Sequence, residues 1–216
     1  MAGIYFTRDG KGLMGISGGK SFTAIDAWQQ ILANPTVQGL TDEERANISD
    51  SYLTSKSHTI SVRKVFGTTN EFQVFDRADK IVKNIRNIGE ARLPTGSPMV
   101  VSKLRFRVAE LAGITEADVA VGNYQSLHVN AIHAALKNGT FRLKVGNKTL
   151  FDDAPLSSFD TKGRVDIAEG TYELEAYFLI PSQTVIEFTV SLGSIAGLTV
   201  NTAVELQMVG AMLSNV

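Results

Sequence analysis

The last third of the chain alternates apolar and polar residues over several segments, and this pattern constrains the fold more than any other feature. The alternation runs over 172–180, 186–192 and 204–210. Successive side chains of a β-strand point to opposite faces of the sheet, so alternation is typical of antiparallel strands with one buried face. Several such strands separated by turns predict a sandwich or a barrel, and roughly eight strands in all would supply two facing sheets.

The segment before these strands predicts a β-hairpin. Apolar residues alternate over 141–145, Gly146-Asn147 supplies a two-residue turn, and 149–151 returns along the first strand. A polar break and the sequence Pro-Leu-Ser-Ser-Phe follow. We expect Leu156 and Phe159 to anchor this loop in the core, so the hairpin is architecture rather than a chemical site.

The middle of the chain predicts further strands with helices inserted between them. Strand candidates rich in β-branched and aromatic residues, or alternating apolar with basic residues, lie at 58–66, 71–75 and 103–108. Apolar residues at helical spacing predict inserted helices near 77–88 and 124–137, with a turn or short helix at 115–118. We therefore predict a mainly β, antiparallel β-sandwich over 56–216, with helical insertions.

The sequence predicts a separate N-terminal region over residues 1–55. Glycine is frequent over 1–20, which suits an extended or adaptable arm. An amphipathic helix is predicted from Thr23 and ends before Asn34-Pro35, because proline disfavours helix in the residue before it. A capping box at 41–44 predicts a second short helix.

Composition excludes several classes of function. Lysine plus arginine total 21 against 22 for aspartate plus glutamate, so no basic surplus favours bulk nucleic-acid binding. The chain has no cysteine, which excludes disulfides, thiolate zinc sites and cysteine nucleophiles. No signal-peptide run or apolar stretch of membrane-spanning length is present, so we expect a soluble protein made in a cytoplasm.

Phosphate-binding and metal-binding motifs are incomplete. The sequence from Gly15 to Ser21 looks like the end of a P-loop, but Gly15 comes one position too late for the backbone amides to curl around a phosphate. His128 and His133 lie five positions apart with no glutamate between them, and His58 lies in a predicted strand. We predict no cofactor and no metal site.

Catalytic signatures are missing as well, so we predict no catalytic residues and a protein that is not an enzyme. Ser157-Ser158 fits turn chemistry, while Asp152-Asp153 and the Glu173/Glu175 pair fit solvated surface. The row of Lys103, Arg105 and Arg107 is a basic stripe on one strand. This row is either a solvent-exposed strand face or a contact surface. As a contact surface it would bind nucleic acid or rows of acidic residues, such as Glu173 and Glu175, on a neighbouring copy.

Several segments of the last third follow one another in a recognisable order. They are 138–150, Pro155-Leu-Ser-Ser-Phe159, Tyr172-Glu-Leu, 180–188 and 204–210. In this order they resemble the jelly-roll capsid proteins of tailless, icosahedral bacteriophages, a resemblance of pattern that extends over about 141–213. It implies a jelly roll whose copies pack as trimers or larger capsomers in a shell. The chain is too short for two complete sandwiches beside its N-terminal region, so a single jelly roll fits.

The resemblance implies a phage virion structural protein, a capsid protein that self-assembles into an icosahedral shell. Its implied partners are further copies of itself, other virion proteins and an internal membrane, with no specific nucleic acid and no small-molecule substrate. The implied location is the virion. Two alternatives stay open: a spike- or fibre-type module that binds a receptor or glycan, and a β-sandwich enzyme whose residues converge only in three dimensions.

Overall fold

The computed structural model describes two four-stranded antiparallel sheets and a short N-terminal strand pair. The residues that it describes are 53–127, 134–160 and 168–215, together with 5–6, 13–14, Leu40, Asp42 and Ala46. The strands in chain order are β1 (Tyr5–Phe6), β2 (Leu13–Met14), β3 (Leu53–Val65), β4 (Glu71–Gln73), β5 (Met99–Glu110), β6 (Thr140–Val145), β7 (Lys148–Pro155), β8 (Thr171–Ile180), β9 (Ile186–Ser191) and β10 (Thr202–Asn215). The sequence-based prediction of an antiparallel β-sandwich is confirmed.

The strands from β3 onward are paired in a nested order. The first sheet has the order β3-β10-β5-β8 and the second the order β4-β9-β6-β7. Along the described chain, the first of these strands therefore pairs with the last, β4 with β9, β5 with β8, and β6 with β7, all antiparallel. Contacts between β10 and β5, and between β9 and β6, join the nested pairs into the two sheets.

The core lies between the two sheets and is built from the apolar half of each alternating strand. In β9 the residues Ile186, Phe188 and Val190 are buried, while the residues between them are half-exposed. The Phe188 ring stacks on that of Phe141 in β6, with centroids 5.2 Å apart. Phe188 also lies 6.3 Å from Phe106 of β5, so these rings link the two sheets. Burial of aromatic side chains on this scale is a principal source of folding free energy.

The predicted hairpin and its anchor are confirmed. Strands β6 and β7 flank Gly146-Asn147, and Gly146 has a φ of +59°, as a two-residue turn with glycine in first place requires. Pro155 is followed by a 3₁₀ turn, Leu156–Phe159. The Leu156 and Phe159 side chains are fully buried and fasten this turn to the core.

The predicted helix at 77–88 is wrong. This segment consists of turns and isolated bridges, and Asn84 has a φ of +65°, which no α-helix accommodates. Two of its backbone hydrogen bonds go to the edge of β3, where Arg63 N donates to Ile85 O (2.8 Å) and Asn87 N donates to Ser61 O (3.1 Å). Others close turns within the segment, such as the one from Arg86 N to Val82 O (2.9 Å). Of the three isoleucines in the predicted spacing, Ile85 and Ile88 are buried but Ile81 is 68% exposed, because pairing with the sheet edge overrides the local helical pattern.

The remaining helix predictions have mixed outcomes. The capping box at Thr115 is present and begins α1 (Glu116–Val121). Of the predicted helix at 124–137, only α2 (Ala134–Lys137) is helical; residues 124–127 are not, and 128–133 lie outside the described residues. Tertiary pairing explains the difference, because Gln125 exchanges two backbone hydrogen bonds of 2.8 Å with Val108.

The N-terminal predictions fall mostly outside the described residues. The helix predicted from Thr23 lies entirely outside the described residues. Of the helix predicted from Thr41, only Asp42 and Ala46 are described, and both are helical. Within 1–20, β1 pairs antiparallel with β2. No helix in the described part of the chain is long and apolar enough to cross a lipid bilayer.

Candidate functional site

The structure places few of the candidate chemical groups near one another. Across the described residues, no group of three or more His, Cys, Asp or Glu side chains is positioned to hold a metal ion. His58 lies in β3, where burial lowers the pKa of its imidazole and favours the neutral form. The segment 15–21, His128 and His133 lie outside the described residues.

The hydroxyl and carboxylate candidates occupy surface positions. Ser157 and Ser158 lie in the 3₁₀ turn, as turn chemistry predicted. The Asp152 carboxylate accepts a hydrogen bond of 2.6 Å from Arg142 Nε across the β6–β7 pair, and both side chains are exposed. Asp153 is exposed and has a φ of +49° near the end of β7. These positions bring no nucleophile and base together.

The basic row on β5 is paired within the chain. Lys103, Arg105 and Arg107 point to the outer face of the first sheet, away from the core. Lys103 Nζ donates to Glu173 Oε1 of β8 at 2.8 Å, and Arg105 donates to Thr171 Oγ1 and to an oxygen of Gln207, each at 3.1 Å. Glu173 therefore binds a lysine of its own chain. The Glu175 side chain is outside the described residues.

Glu205 is the centre of the most buried polar cluster on this face. Its side chain is fully buried, yet it lies in β10 on the outer face of the sheet. Arg63 Nε donates to its Oε1 at 2.8 Å, and Arg107 Nη2 contacts its Oε2. Two guanidinium groups thus flank one carboxylate. The hydrogen bond from Arg63 is charge-assisted and therefore stronger than a neutral one, whereas the contact with Arg107 is an ion pair. We call Arg63, Arg107 and Glu205 the buried triad.

Helix α1 and the segment 82–86 bury the triad. Arg63 Nη1 donates to Ala120 O (2.8 Å) and to Asn84 O (3.0 Å), so a single guanidinium links α1, that segment and the sheet. The guanidinium carbon also lies 4.7 Å from the centre of the Tyr124 ring, a cation–π contact. Around it, a small apolar cluster fills the space between α1 and the sheet, formed by Ile85, Ala109, Leu111, Val119, Tyr124 and Ala203.

The surroundings also change how two side chains of this region titrate. Burial raises the pKa of Tyr124 to about 12, and its hydroxyl donates a 3.0 Å hydrogen bond to Val119 O. Burial lowers the pKa of Arg105, and the like charge of Arg107 adds to this effect. Both changes follow from packing rather than from a reacting group.

The triad is a clamp that joins β10 to both of its neighbouring strands. Both Glu205 oxygens contact guanidinium groups and its side chain has no exposed surface, although Arg63 and Glu205 line a pocket of about 480 Å³ beside the segment 82–86. In the sequence, Glu205 is only one polar residue of an alternating strand. The cluster depends on the strand register, which places Glu205 directly opposite Arg63 on one neighbouring strand and Arg107 on the other. The sequence pattern does not reveal this register.

No family model matches this chain, and neither a curated protein nor a solved structure is significantly similar to it.

Proposed function

We propose that this protein is a virion structural protein of a bacteriophage, a capsid protein that self-assembles into an icosahedral shell on a single jelly roll. The observation that carries the proposal is the nested strand pairing, in which β3 pairs with β10, β4 with β9, β5 with β8 and β6 with β7. Eight strands paired in this way across two facing sheets are the pattern of a jelly roll, a fold found in viral capsid proteins as well as in lectins and cupins.

The order of sequence segments supports the capsid role within that fold. The hairpin, the anchored turn and the three alternating strands that resemble capsid proteins occupy β6–β10 of the nested pairing. The formal net charge of −1 also keeps repulsion between copies small, as dense packing in a shell requires.

Contacts between copies need surface that a single chain leaves exposed, and one end of the sandwich offers apolar surface of this kind. At the end where β5 finishes and β10 begins, Ile114, Val121 and Val200 are between 62% and 83% exposed. Ile114 precedes α1 and Val121 is its last residue, while Val200 lies beside Asn201, whose carbonyl accepts a hydrogen bond of 3.1 Å from Leu111 N. We call this the α1 end. In the proposed shell its apolar residues are buried between copies, since exposed apolar patches mark interaction sites.

A charge placed at the α1 end tests this proposal. Val121→Asp and Val200→Asp are expected to leave the chain folded, because both side chains are largely exposed, and to prevent or strongly weaken assembly measured by sedimentation velocity. Asn147→Asp is the matched control, because it adds the same charge to an exposed position in the hairpin turn at the opposite end. Assembly of all three variants at the same protein concentration would refute the α1 end as a contact surface.

A further inference from the structure

The outer face of the first sheet carries an excess of positive charge beside the buried triad. Three guanidinium groups, which we call the arginine surface, lie around the single carboxylate of Glu205: Arg63, Arg105 and Arg107. Three positive charges against one negative charge leave a surplus of two among these residues. Other cations nearby have carboxylates of their own, since Lys103 pairs with Glu173, and Arg86 with Asp79 and Glu116.

Arg105 is the member of the arginine surface that is best placed to meet a partner. Two neutral side chains hold its guanidinium, because Nε donates to Thr171 Oγ1 and Nη1 donates to Gln207 Oε1, each at 3.1 Å. Its side chain is only half-buried, and no carboxylate of the described residues forms an ion pair with it. Arginine has five N–H donors, so Nη2 is left for an acceptor from outside the chain. These side-chain contacts orient the guanidinium before a partner arrives, which reduces the entropy lost on binding.

The outer face of the second sheet has the opposite imbalance around Arg142. Three exposed carboxylates, which we call the acidic cluster, lie near this one guanidinium: Glu71 of β4, and Asp152 and Asp153 of β7. The 2.6 Å hydrogen bond to Asp152 raises the pKa of Arg142, and the charges of the other two carboxylates add to this effect. Three negative charges against one positive charge leave a surplus of two. Further charged residues of both signs lie toward the hairpin turn: Lys144, Lys148 and Glu187.

The two surfaces cannot meet within one chain, because the sheets pack through their inner faces and their outer faces point in opposite directions. We propose that the arginine surface of one copy binds the acidic cluster of a second copy of this chain. The two surpluses are equal in size and opposite in sign, and such complementarity speeds encounter and fixes orientation. Contacts between two different surfaces of one chain build rings when the rotation closes, as a capsomer requires. This inference rests on the proposed self-assembly and adds a contact to that of the α1 end.

Charge reversal tests each surface separately. Arg105→Glu changes the arginine surface without removing a member of the buried triad, and the double variant Glu71→Lys with Asp152→Lys changes the acidic cluster. In sedimentation velocity of the full chain, each should weaken self-association by at least about tenfold. Raising NaCl from about 0.05 M to about 0.5 M should weaken association of the unmodified chain, because salt screens exposed charges. Glu90→Lys is the matched control, since it reverses an exposed carboxylate outside the acidic cluster and should associate as the unmodified chain does.

Mixing the two reversed proteins separates this contact from any other. Arg105→Glu keeps an intact acidic cluster and the double variant keeps an intact arginine surface, so the mixture should associate at least about tenfold more tightly than either alone. The inference is overturned if both variants associate as the unmodified chain does, or if the mixture is no tighter than its components; the capsid proposal then stands on other contacts. An unmodified chain that is monomeric at every concentration would overturn both. The double variant changes only exposed side chains, so it decides the question even if Arg105→Glu does not fold.

Discussion

Replacing Glu205 with glutamine removes the negative charge that holds the buried triad together. Truncating one partner of a buried ion pair typically destabilises a protein by about 3–5 kcal/mol, because the opposite charge stays buried without compensation. Here the Arg63 and Arg107 side chains are 23% and 27% exposed, so water screens part of that loss. Glutamine also keeps one oxygen that accepts from Arg63. We therefore expect Glu205→Gln to lower the free energy of unfolding by about 2–3 kcal/mol.

The assay is urea denaturation at neutral pH, with Glu173→Gln as the matched control. Glu173 pairs with Lys103 on the same face of the same sheet, but both side chains are about half exposed, 47% and 46%. An exposed pair of this kind contributes roughly 0–1 kcal/mol. If Glu205→Gln is no more destabilising than Glu173→Gln, burial of the triad does not govern its contribution, and the assignment of a clamp is wrong.

Two further predictions concern Gly210, where the register between β10 and β5 shifts, and the tyrosine beside the triad. Gly210→Ala should destabilise the fold by about 3 kcal/mol in urea denaturation, because a Cβ there would overlap the Val100 carbonyl, whereas Gly67→Ala should be tolerated because nothing lies within 4 Å of its Cβ. Burial raises the pKa of Tyr124 to about 12, against about 10 in the unfolded chain. The contribution of Tyr124 to the free energy of unfolding is therefore complete below pH 10 and is lost as the pH rises toward 12. Tyr124→Phe should reduce this loss of stability at alkaline pH, and an unchanged dependence of stability on pH would contradict the prediction.

The strands are predictable from the sequence because a period of two in the side chains directly reflects the pleat of a strand. The alternation over 172–180, 186–192 and 204–210 corresponds to β8, β9 and β10, and the glycine turn and the two buried anchors of the hairpin were placed correctly. Each of these features depends on residues close together in the sequence.

Features that depend on tertiary pairing were not accessible in the same way. The isoleucines at 77–88 have helical spacing, yet the segment forms hydrogen bonds to the edge of β3. The buried triad joins Arg63 to Glu205 across 142 positions of sequence. Alternation tells which face of a strand is buried, but not which strand lies beside it, so neither the register nor the cover supplied by α1 follows from the sequence pattern.

The state of association of the purified chain tests the central proposal most directly. Solution mass across a range of concentrations, combined with negative-stain electron microscopy of the same samples, would reveal any assembly. The capsid proposal predicts trimers or larger capsomers that grow into closed shells as concentration rises, with interfaces that bury on the order of 1,000 Å² or more. A chain that stays monomeric at every concentration and forms no particles would contradict it.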